Sequence, residues 1–127
     1  MIRFSTPLLA LGLLLGVSAC GGDSASGSTT PADVDVDVRA LDGVAWNASS
    51  YSATATDGVV TIYGANDSSL PHNLYVQDGD GTQIGDFIDL PTRGSDGTID
   101  VELAPGEYRI VCLIPGHSAM NSALVVD

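Results

Sequence analysis

Three residues near the C-terminus carry side chains that bind soft and borderline metal ions. They are Cys112, His117 and Met120, and all of them fall within one nine-residue segment. A thiolate, an imidazole and a thioether form a ligand set that suits copper better than the other common metals. Zinc accepts a thioether ligand poorly, although it could enter such a site opportunistically. The chain has only two histidines, and the other one, His72, offers a second imidazole.

The first twenty residues predict export. A positive charge at Arg3 precedes an apolar run over residues 8–17, which is too short to span a bilayer as a mature helix. The junction Val17-Ser18-Ala19-Cys20 resembles the lipobox of bacterial lipoproteins, in which cleavage leaves an acylated Cys20 as the new N-terminus. That resemblance implies a protein exported and held by lipid on the outer face of the bacterial cytoplasmic membrane, or in the periplasm. The alternative is an ordinary secretory signal cut near Ala19, with Cys20 incidental.

Residues 21–33 are mostly Gly, Ser, Thr and Asp. Such a segment buries too little apolar surface to offset the entropy lost on ordering, so we predict a flexible tether. The tether would connect the signal segment, residues 1–20, to a single domain over residues 34–127.

The charge of the chain narrows the choice of partners. The net charge is −12 and there is no lysine. This balance argues against binding nucleic acid or anionic lipid headgroups, and it favours encounter with a basic protein partner. Acidity also keeps an exported protein soluble, and this simpler explanation stays open.

Each candidate ligand also has an ordinary structural interpretation. Cys112 could be a buried inert thiol, His72 a core histidine with satisfied hydrogen bonds, and Met120 a flexible filler of apolar space. If Cys20 carries lipid, however, Cys112 has no disulfide partner in an exported protein. Metal ligation explains such a lone thiol, because a bound thiolate is shielded from oxidation.

The domain reads as short strands joined by turns, with no convincing amphipathic helix. Residues 34–40 alternate apolar and polar side chains with period two, which predicts a strand with one buried face. Residues 50–56 and 59–65 are separated by Asp57-Gly58, which is a hairpin signal. Further strands are predicted over residues 72–77, 82–89, 98–103, 108–112 and 122–126. Seven or eight short strands with regular turns predict an all-β sandwich.

Strand alternation positions the candidate ligands. Tyr108, Ile110 and Cys112 should point to one face of their strand, so that Cys112 ends a core-facing row. Pro115 and Gly116 shape the loop that follows, because proline fixes φ and glycine permits a tight bend.

Two segments resemble the copper-binding segments of the cupredoxins, the type 1 or blue copper proteins related to plastocyanin, azurin and sulfocyanin. They are Pro71-His72-Asn73-Leu74 and Tyr108-x3-Cys112-x2-Pro115-Gly116-His117-x2-Met120. The resemblance covers residues 34–126. It implies a Greek-key β-sandwich of seven to eight strands that holds one type 1 copper ion, cycling between Cu(I) and Cu(II).

The resemblance also implies roles for individual residues. The implied copper ligands are His72, Cys112, His117 and, as the weak axial ligand, Met120. Asn73 is expected to tie the His72 strand to the cysteine loop, and backbone N–H groups near residues 73 and 114 to point at the sulfur. Ile114 and Pro115 are also expected to lie around the copper ligands and to support them. Asn121 or a backbone carbonyl could compete for the axial position, and Leu113 stands where a small hydroxyl residue is frequent.

The implied function is electron transfer by a monomer that is not an enzyme. The redox partner would be a cytochrome, an oxidase or a reductase, and the edge of His117 would serve as the electron port. The expected apolar patch around it comprises Leu70, Pro71, Leu113, Ile114 and Pro115. A copper chaperone or store is the alternative, although such proteins usually display clusters of Met and His. A metal-free adhesive or structural sandwich also stays open.

Overall fold

The computed structural model describes residues 28–127, so the signal segment and Cys20 lie outside the described residues. This part of the chain is built from β-strands without helices, which confirms the predicted all-β class. It has nine strands in place of seven or eight, because the two-residue strand β2 is too short to show a periodic pattern. No helix in residues 28–127 is long and apolar enough to cross a membrane. The strands are β1 (Val36–Leu41), β2 (Ala45–Trp46), β3 (Ser50–Ala53), β4 (Val59–Asn66), β5 (His72–Gln77), β6 (Ile88–Leu90), β7 (Asp96–Glu102), β8 (Gly106–Val111) and β9 (Asn121–Val126).

The strands form two sheets that pack face to face as a sandwich. One sheet has the strand order β2-β1-β4-β7, and the other has the order β3-β9-β8-β5-β6. The pairs β1–β4 and β3–β9 are parallel, whereas the β5–β8 and β8–β9 pairs are antiparallel. In β1 the alternate residues Val36, Val38 and Ala40 are buried, as the period-two pattern predicts. The core lies between the two sheets, where Leu74 and Leu124 are fully buried.

The hairpin predicted at Asp57-Gly58 is wrong. Both residues have positive φ, 52° and 78°, and Thr56 forms an isolated bridge with Val59, so a tight turn is present. The strands on either side, however, belong to different sheets: β3 pairs with β9, and β4 pairs with β1 and β7. The local signal sets the chain reversal, while long-range parallel pairing decides which sheet each strand joins.

The strand predicted over residues 82–89 is largely absent. Only its end contributes to β6, and Gln83 makes no more than an isolated bridge to Gln77. Gly85 has a φ of 71°, which bends the chain away from the sheet before β6 begins. β6 then pairs with the start of β5, with His72 opposite Leu90.

Two glycines face each other across β4 and β7 and leave room for a side chain of β6. Gly64 is opposite Gly97, and a Cβ added at Gly97 would lie 2.9 Å from Cγ2 of Ile88. A Cβ added at Gly64 would lie 3.0 Å from Cδ1 of Leu74 and 3.1 Å from Cδ1 of Ile88. Glycine is unfavourable inside a strand, so this pair has a packing reason. Because the two glycines have no side chains, Ile88 of the second sheet can pack against the first sheet at this point.

We expect Gly97→Ala to lower the free energy of unfolding by about 1–3 kcal/mol, the usual cost of overpacking. The added methyl group would displace Ile88, and this cost outweighs the better strand propensity of alanine. Gly79→Ala is the matched control, because a Cβ at Gly79 meets nothing within 4 Å. Urea denaturation of the metal-free protein measures both changes. Equal stability of the two variants would mean that Ile88 moves aside without cost.

The first described residues contact the domain rather than extending away from it. Ser28 Oγ donates a hydrogen bond of 2.9 Å to the carbonyl of Gly94, and Arg39 Nη2 donates one of 2.6 Å to Thr30 Oγ1. The N–H of Gly94 in turn donates to the carbonyl of Asn66, the last residue of β4. Residues 28–30, which the sequence assigns to the tether, therefore lie near the end of β4 that leads toward His72.

Candidate metal centre

The structure brings three of the predicted ligands to one point. His72, Cys112 and His117 each offer one ligand atom, and these atoms lie within 4.8 Å of one another. The sulfur of Cys112 is 4.0 Å from Nδ1 of His72 and 3.6 Å from Nδ1 of His117. Both imidazoles therefore present the same nitrogen, Nδ1, to the thiol.

Adjacent strands position two of these side chains. β5 begins at His72, and Cys112 is the first residue beyond the end of β8. The two strands are antiparallel neighbours, with Tyr75 opposite Val111. The start of one strand and the end of its antiparallel neighbour lie at the same end of the sheet. The sheet itself therefore brings His72 and Cys112 together.

The loop after β8 closes on itself through three backbone hydrogen bonds. The N–H of His117 donates to the carbonyl of Ile114 at 3.0 Å, and the N–H of Met120 donates to the carbonyl of His117 at 2.9 Å. The N–H of Cys112 donates to the carbonyl of Met120 at 3.1 Å. Gly116 has a φ of 89°, which favours glycine at this bend. Met120, at 1% exposure, thus returns to the side of Cys112.

The two sulfur–nitrogen distances and the chemistry of the donor atoms fit a first-row metal ion. Nitrogen and sulfur ligands bind such an ion at roughly 2.0–2.3 Å, so three ligands around it in a plane stand roughly 3.5–4 Å apart. Both sulfur–nitrogen distances fall in this range. Burial lowers the pKa of His72, and the nearby His117 lowers it further, so the imidazole stays neutral and able to donate a lone pair. A cysteine sulfur with two imidazoles is a donor set that binds copper well.

Asn73 connects the His72 strand to the ligand loop. Its Oδ1 accepts a hydrogen bond of 2.7 Å from the backbone N–H of Leu113. Because the bond goes to the main chain, the absence of a hydroxyl on the Leu113 side chain does not weaken it. The N–H bonds expected from residues 73 and 114 to the sulfur stay a prediction. Ile114 and Pro115 lie in the same loop and line a groove beside Cys112.

Two buried polar residues near the site were not predicted from the sequence. Ser68 Oγ lies 2.7 Å from Nε2 of His72, on the ring edge that faces away from Cys112. Ser68 is held in turn by Asn66, whose Oδ1 accepts a hydrogen bond of 2.8 Å from the Ser68 N–H. Ser68 and Asn66 are 1% and 0% exposed. No local pattern marks them, because their role depends on how the β4–β5 connection folds back over the ring of His72.

One edge of the site reaches the protein surface. His117 is half-buried, whereas His72 and Cys112 are buried. Leu70 and Leu113 are exposed to 44% and 51%. Pro71 and Pro115 are also exposed, and Ile114 is partly so. The apolar residues predicted to surround His117 are thus at the surface.

The described domain, a β-sandwich in which two histidines and a cysteine converge at one end, has the cupredoxin fold. It is similar to auracyanin A, a "blue" copper protein from the green thermophilic photosynthetic bacterium Chloroflexus aurantiacus, with 19% identity and a TM-score of 0.60 over 72% of this chain and 96% of that one. It is similar to auracyanin B, with 20% identity and a TM-score of 0.62 over 80% and 95% of the two chains. An azurin, Az-iso2 from the obligate methylotroph Methylomonas sp. strain J, gives 17% identity and a TM-score of 0.61 over 76% and 99%.

These likenesses are structural. No protein-family model and no curated protein sequence matches the chain. At identities of 17–20%, the similarity to solved structures establishes the fold, and the chemistry of the site is argued from the side chains themselves.

Proposed function

We propose that this protein is a type 1 copper protein that carries single electrons. The observation that supports the proposal most directly is the convergence of His72, Cys112 and His117 within 4.8 Å. The likeness in fold to auracyanin A, a blue copper protein, supports it further. Copper, when bound, would supply a one-electron couple between Cu(I) and Cu(II).

The sandwich suits this role because it fixes its ligands in one arrangement. His72 and Cys112 are buried and belong to hydrogen-bonded neighbouring strands, and side chains in such packed positions move little. An electron can enter or leave with little rearrangement when the ligands do not adapt to each oxidation state. Met120 would be the weak axial ligand. We propose a carrier and not an enzyme, since copper oxidases need further histidines and this chain has two.

The half-buried His117 would be the electron port. The exposed side chains of Leu70, Leu113 and Pro115 would form an apolar surface around it, which would admit a redox protein with a matching apolar face. The net charge of −12 would favour a partner with basic residues around that face. The partner would be a cytochrome, an oxidase or a reductase, and the protein would act as a monomer.

We propose that a lipid on Cys20 keeps the exported protein at the membrane surface. The junction ending in Cys20 supports this, and more than one acyl chain would give stable anchoring. Intact-mass measurement of the protein from a membrane fraction tests it. A mature chain that begins at Cys20 with added acyl mass is expected, and an unmodified N-terminus would rule the anchor out.

The visible absorption spectrum of the purified protein during addition of Cu(II) tests the electron-transfer proposal. We expect an intense blue or green band that disappears on chemical reduction and returns on reoxidation. A colourless protein that binds Cu(I) tightly would instead indicate a copper chaperone or store. A protein that binds neither ion would be a metal-free adhesive or structural sandwich.

Met120→Leu is expected to keep the visible band and raise the reduction potential. Leucine fills similar space but has no donor atom, so the site would keep three strong ligands and lose the fourth. Cu(II) depends on a fourth ligand more than Cu(I) does, because Cu(I) tolerates a lower coordination number. Each tenfold loss of preference for Cu(II) raises a one-electron potential by about 59 mV. Protein-film voltammetry of the two proteins measures the difference. An unchanged potential would show that Met120 is not the axial ligand.

A further inference from the structure

We infer that Ser68 is a positioning residue of the metal centre, whose hydroxyl holds His72 in the tautomer that leaves Nδ1 free for the metal. For the identity of the metal this inference rests on the proposed copper site. The contacts that carry it, however, are all made within this chain.

The two ring nitrogens of His72 have different surroundings. Nδ1 faces the sulfur of Cys112 at 4.0 Å, and Nε2 lies 2.7 Å from Ser68 Oγ. A neutral imidazole has one N–H, and the other nitrogen carries the lone pair. A proton on Nε2 makes a short hydrogen bond to oxygen, whereas a proton on Nδ1 would face only a distant and weak sulfur acceptor. The Nε2–H tautomer is therefore favoured, and it is the one that presents a lone pair toward Cys112.

The other contacts of Ser68 leave its oxygen free to accept from His72. The hydroxyl donates to the carbonyl of Leu70 at 3.2 Å, and the N–H of Leu70 donates to Ser68 Oγ, also at 3.2 Å. The hydroxyl proton thus has its own acceptor, and a lone pair remains for the Nε2–H of His72. If the hydroxyl turned to donate to Nε2, this bond to Leu70 would be lost.

The backbone around Ser68 is fixed as well. Asn66 Oδ1 accepts from the Ser68 N–H at 2.8 Å, and Asn66 Nδ2 donates to the carbonyls of Leu70 and Leu90 at 2.7 and 2.9 Å. Leu90 lies opposite His72 in the β5–β6 pair. The loop that carries the hydroxyl and β6, the strand paired with the start of the His72 strand, are therefore bonded to the same side chain, Asn66. This arrangement sets the distance between Ser68 and His72.

A hydrogen bond on the outer nitrogen of a metal-binding histidine fixes its orientation and raises its basicity, and loss of such a partner costs 10–100-fold in metal affinity. We expect Ser68→Ala to weaken Cu(I) binding by roughly 10–100-fold in a competition titration with a colorimetric chelator. Ser68→Thr, which keeps the hydroxyl, should recover most of this loss. Ser69→Ala removes the exposed hydroxyl next in sequence and should bind Cu(I) as the unmodified protein does.

The tautomer is measured without copper, by nitrogen-15 NMR of the histidine rings in the metal-free protein. We expect His72 to carry its proton on Nε2 in the unmodified protein, with slow exchange of that proton with solvent. In Ser68→Ala the proton should exchange faster and spread to Nδ1. A proton on Nδ1 of the unmodified protein would overturn the inference even if Ser68→Ala fails to fold. So would an unchanged tautomer and Cu(I) affinity in a folded Ser68→Ala.

The two measurements separate this inference from the proposed function. A protein that binds no copper would defeat the proposed function, while the metal-free tautomer would still decide the role of Ser68 toward His72. A blue protein in which Ser68→Ala changes neither quantity would leave the proposed function standing and remove Ser68 from the site.

Discussion

We expect Cys112→Ser to abolish the intense visible band of the copper-loaded protein and to weaken Cu(II) binding by more than roughly 100-fold. The band depends on a thiolate bound to Cu(II). A serine hydroxyl does not ionise near neutral pH and is not a soft donor ligand. Losing a direct ligand should reduce metal affinity by more than the 10–100-fold that follows from losing a hydrogen-bond partner of a ligand. Absorption spectra and copper titrations of the two purified proteins measure both effects.

Two comparisons test whether unfolding of the variant, rather than loss of the thiolate, removes the band. Serine is close to cysteine in size, and burying its hydroxyl at a position that is 4% exposed costs about 1–3 kcal/mol, less than the stability of a typical domain. Urea denaturation of metal-free Cys112→Ser should therefore show a folded protein. Met120→Leu, at the other end of the same loop, should keep the band. A folded Cys112→Ser that stays blue would mean that the sulfur is not a ligand.

We expect Asn66→Ala to lower the free energy of unfolding by about 3 kcal/mol or more. Its side chain is fully buried and bonds to the carbonyls of Leu70 and Leu90 and to the N–H of Ser68. Alanine would leave these three main-chain groups without that partner, at about 1–3 kcal/mol for each group that stays buried. Urea denaturation of the metal-free protein measures the loss.

Asn47→Ala is the matched control for this change. The Asn47 side chain also makes several hydrogen bonds, since it accepts from the Arg39 N–H at 2.9 Å and the Tyr51 hydroxyl and donates to the carbonyl of Asp37, but Asn47 is exposed and water can replace it. We expect a loss of about 1 kcal/mol there. Copper affinity should fall in Asn66→Ala and not in Asn47→Ala, because only Asn66 holds Ser68 beside His72. Equal losses in the two variants would show that burial of Asn66 adds nothing.

The convergence of His72, Cys112 and His117 could be predicted from the sequence because its signals are chemical and few. A chain with two histidines and one cysteine in its domain has little choice of partners, and Cys112 and His117 are close in sequence. The position of His72 at the start of a strand was also predictable, from the proline before it and the apolar alternation after it. These inferences needed no knowledge of how the two sheets pair.

What the sequence did not predict depends on distant parts of the chain. Asp57-Gly58 specifies a turn, but the parallel pairing of β3 with β9, about 70 residues away, sends the strands into different sheets. Ser68 looks like an ordinary loop residue until the β4–β5 connection folds over His72. Likewise, Gly64 and Gly97 are each uninformative alone, and their facing positions become meaningful only when Ile88 arrives from the other sheet.

The hydrogen bond between Ser28 and Gly94 bears on which redox centres the protein can reach. Gly94 is bonded to Asn66, so the chain joins the domain near the end that carries His72. If Cys20 carries the lipid, seven residues lie between the anchor and Ser28, and the eight residue steps from Cys20 to Ser28 span at most roughly 29 Å when fully extended. The metal centre would then stay close to the surface of the bilayer. The protein would then exchange electrons only with partners whose redox cofactors are accessible close to the membrane surface. A high affinity in free solution would not extend this range.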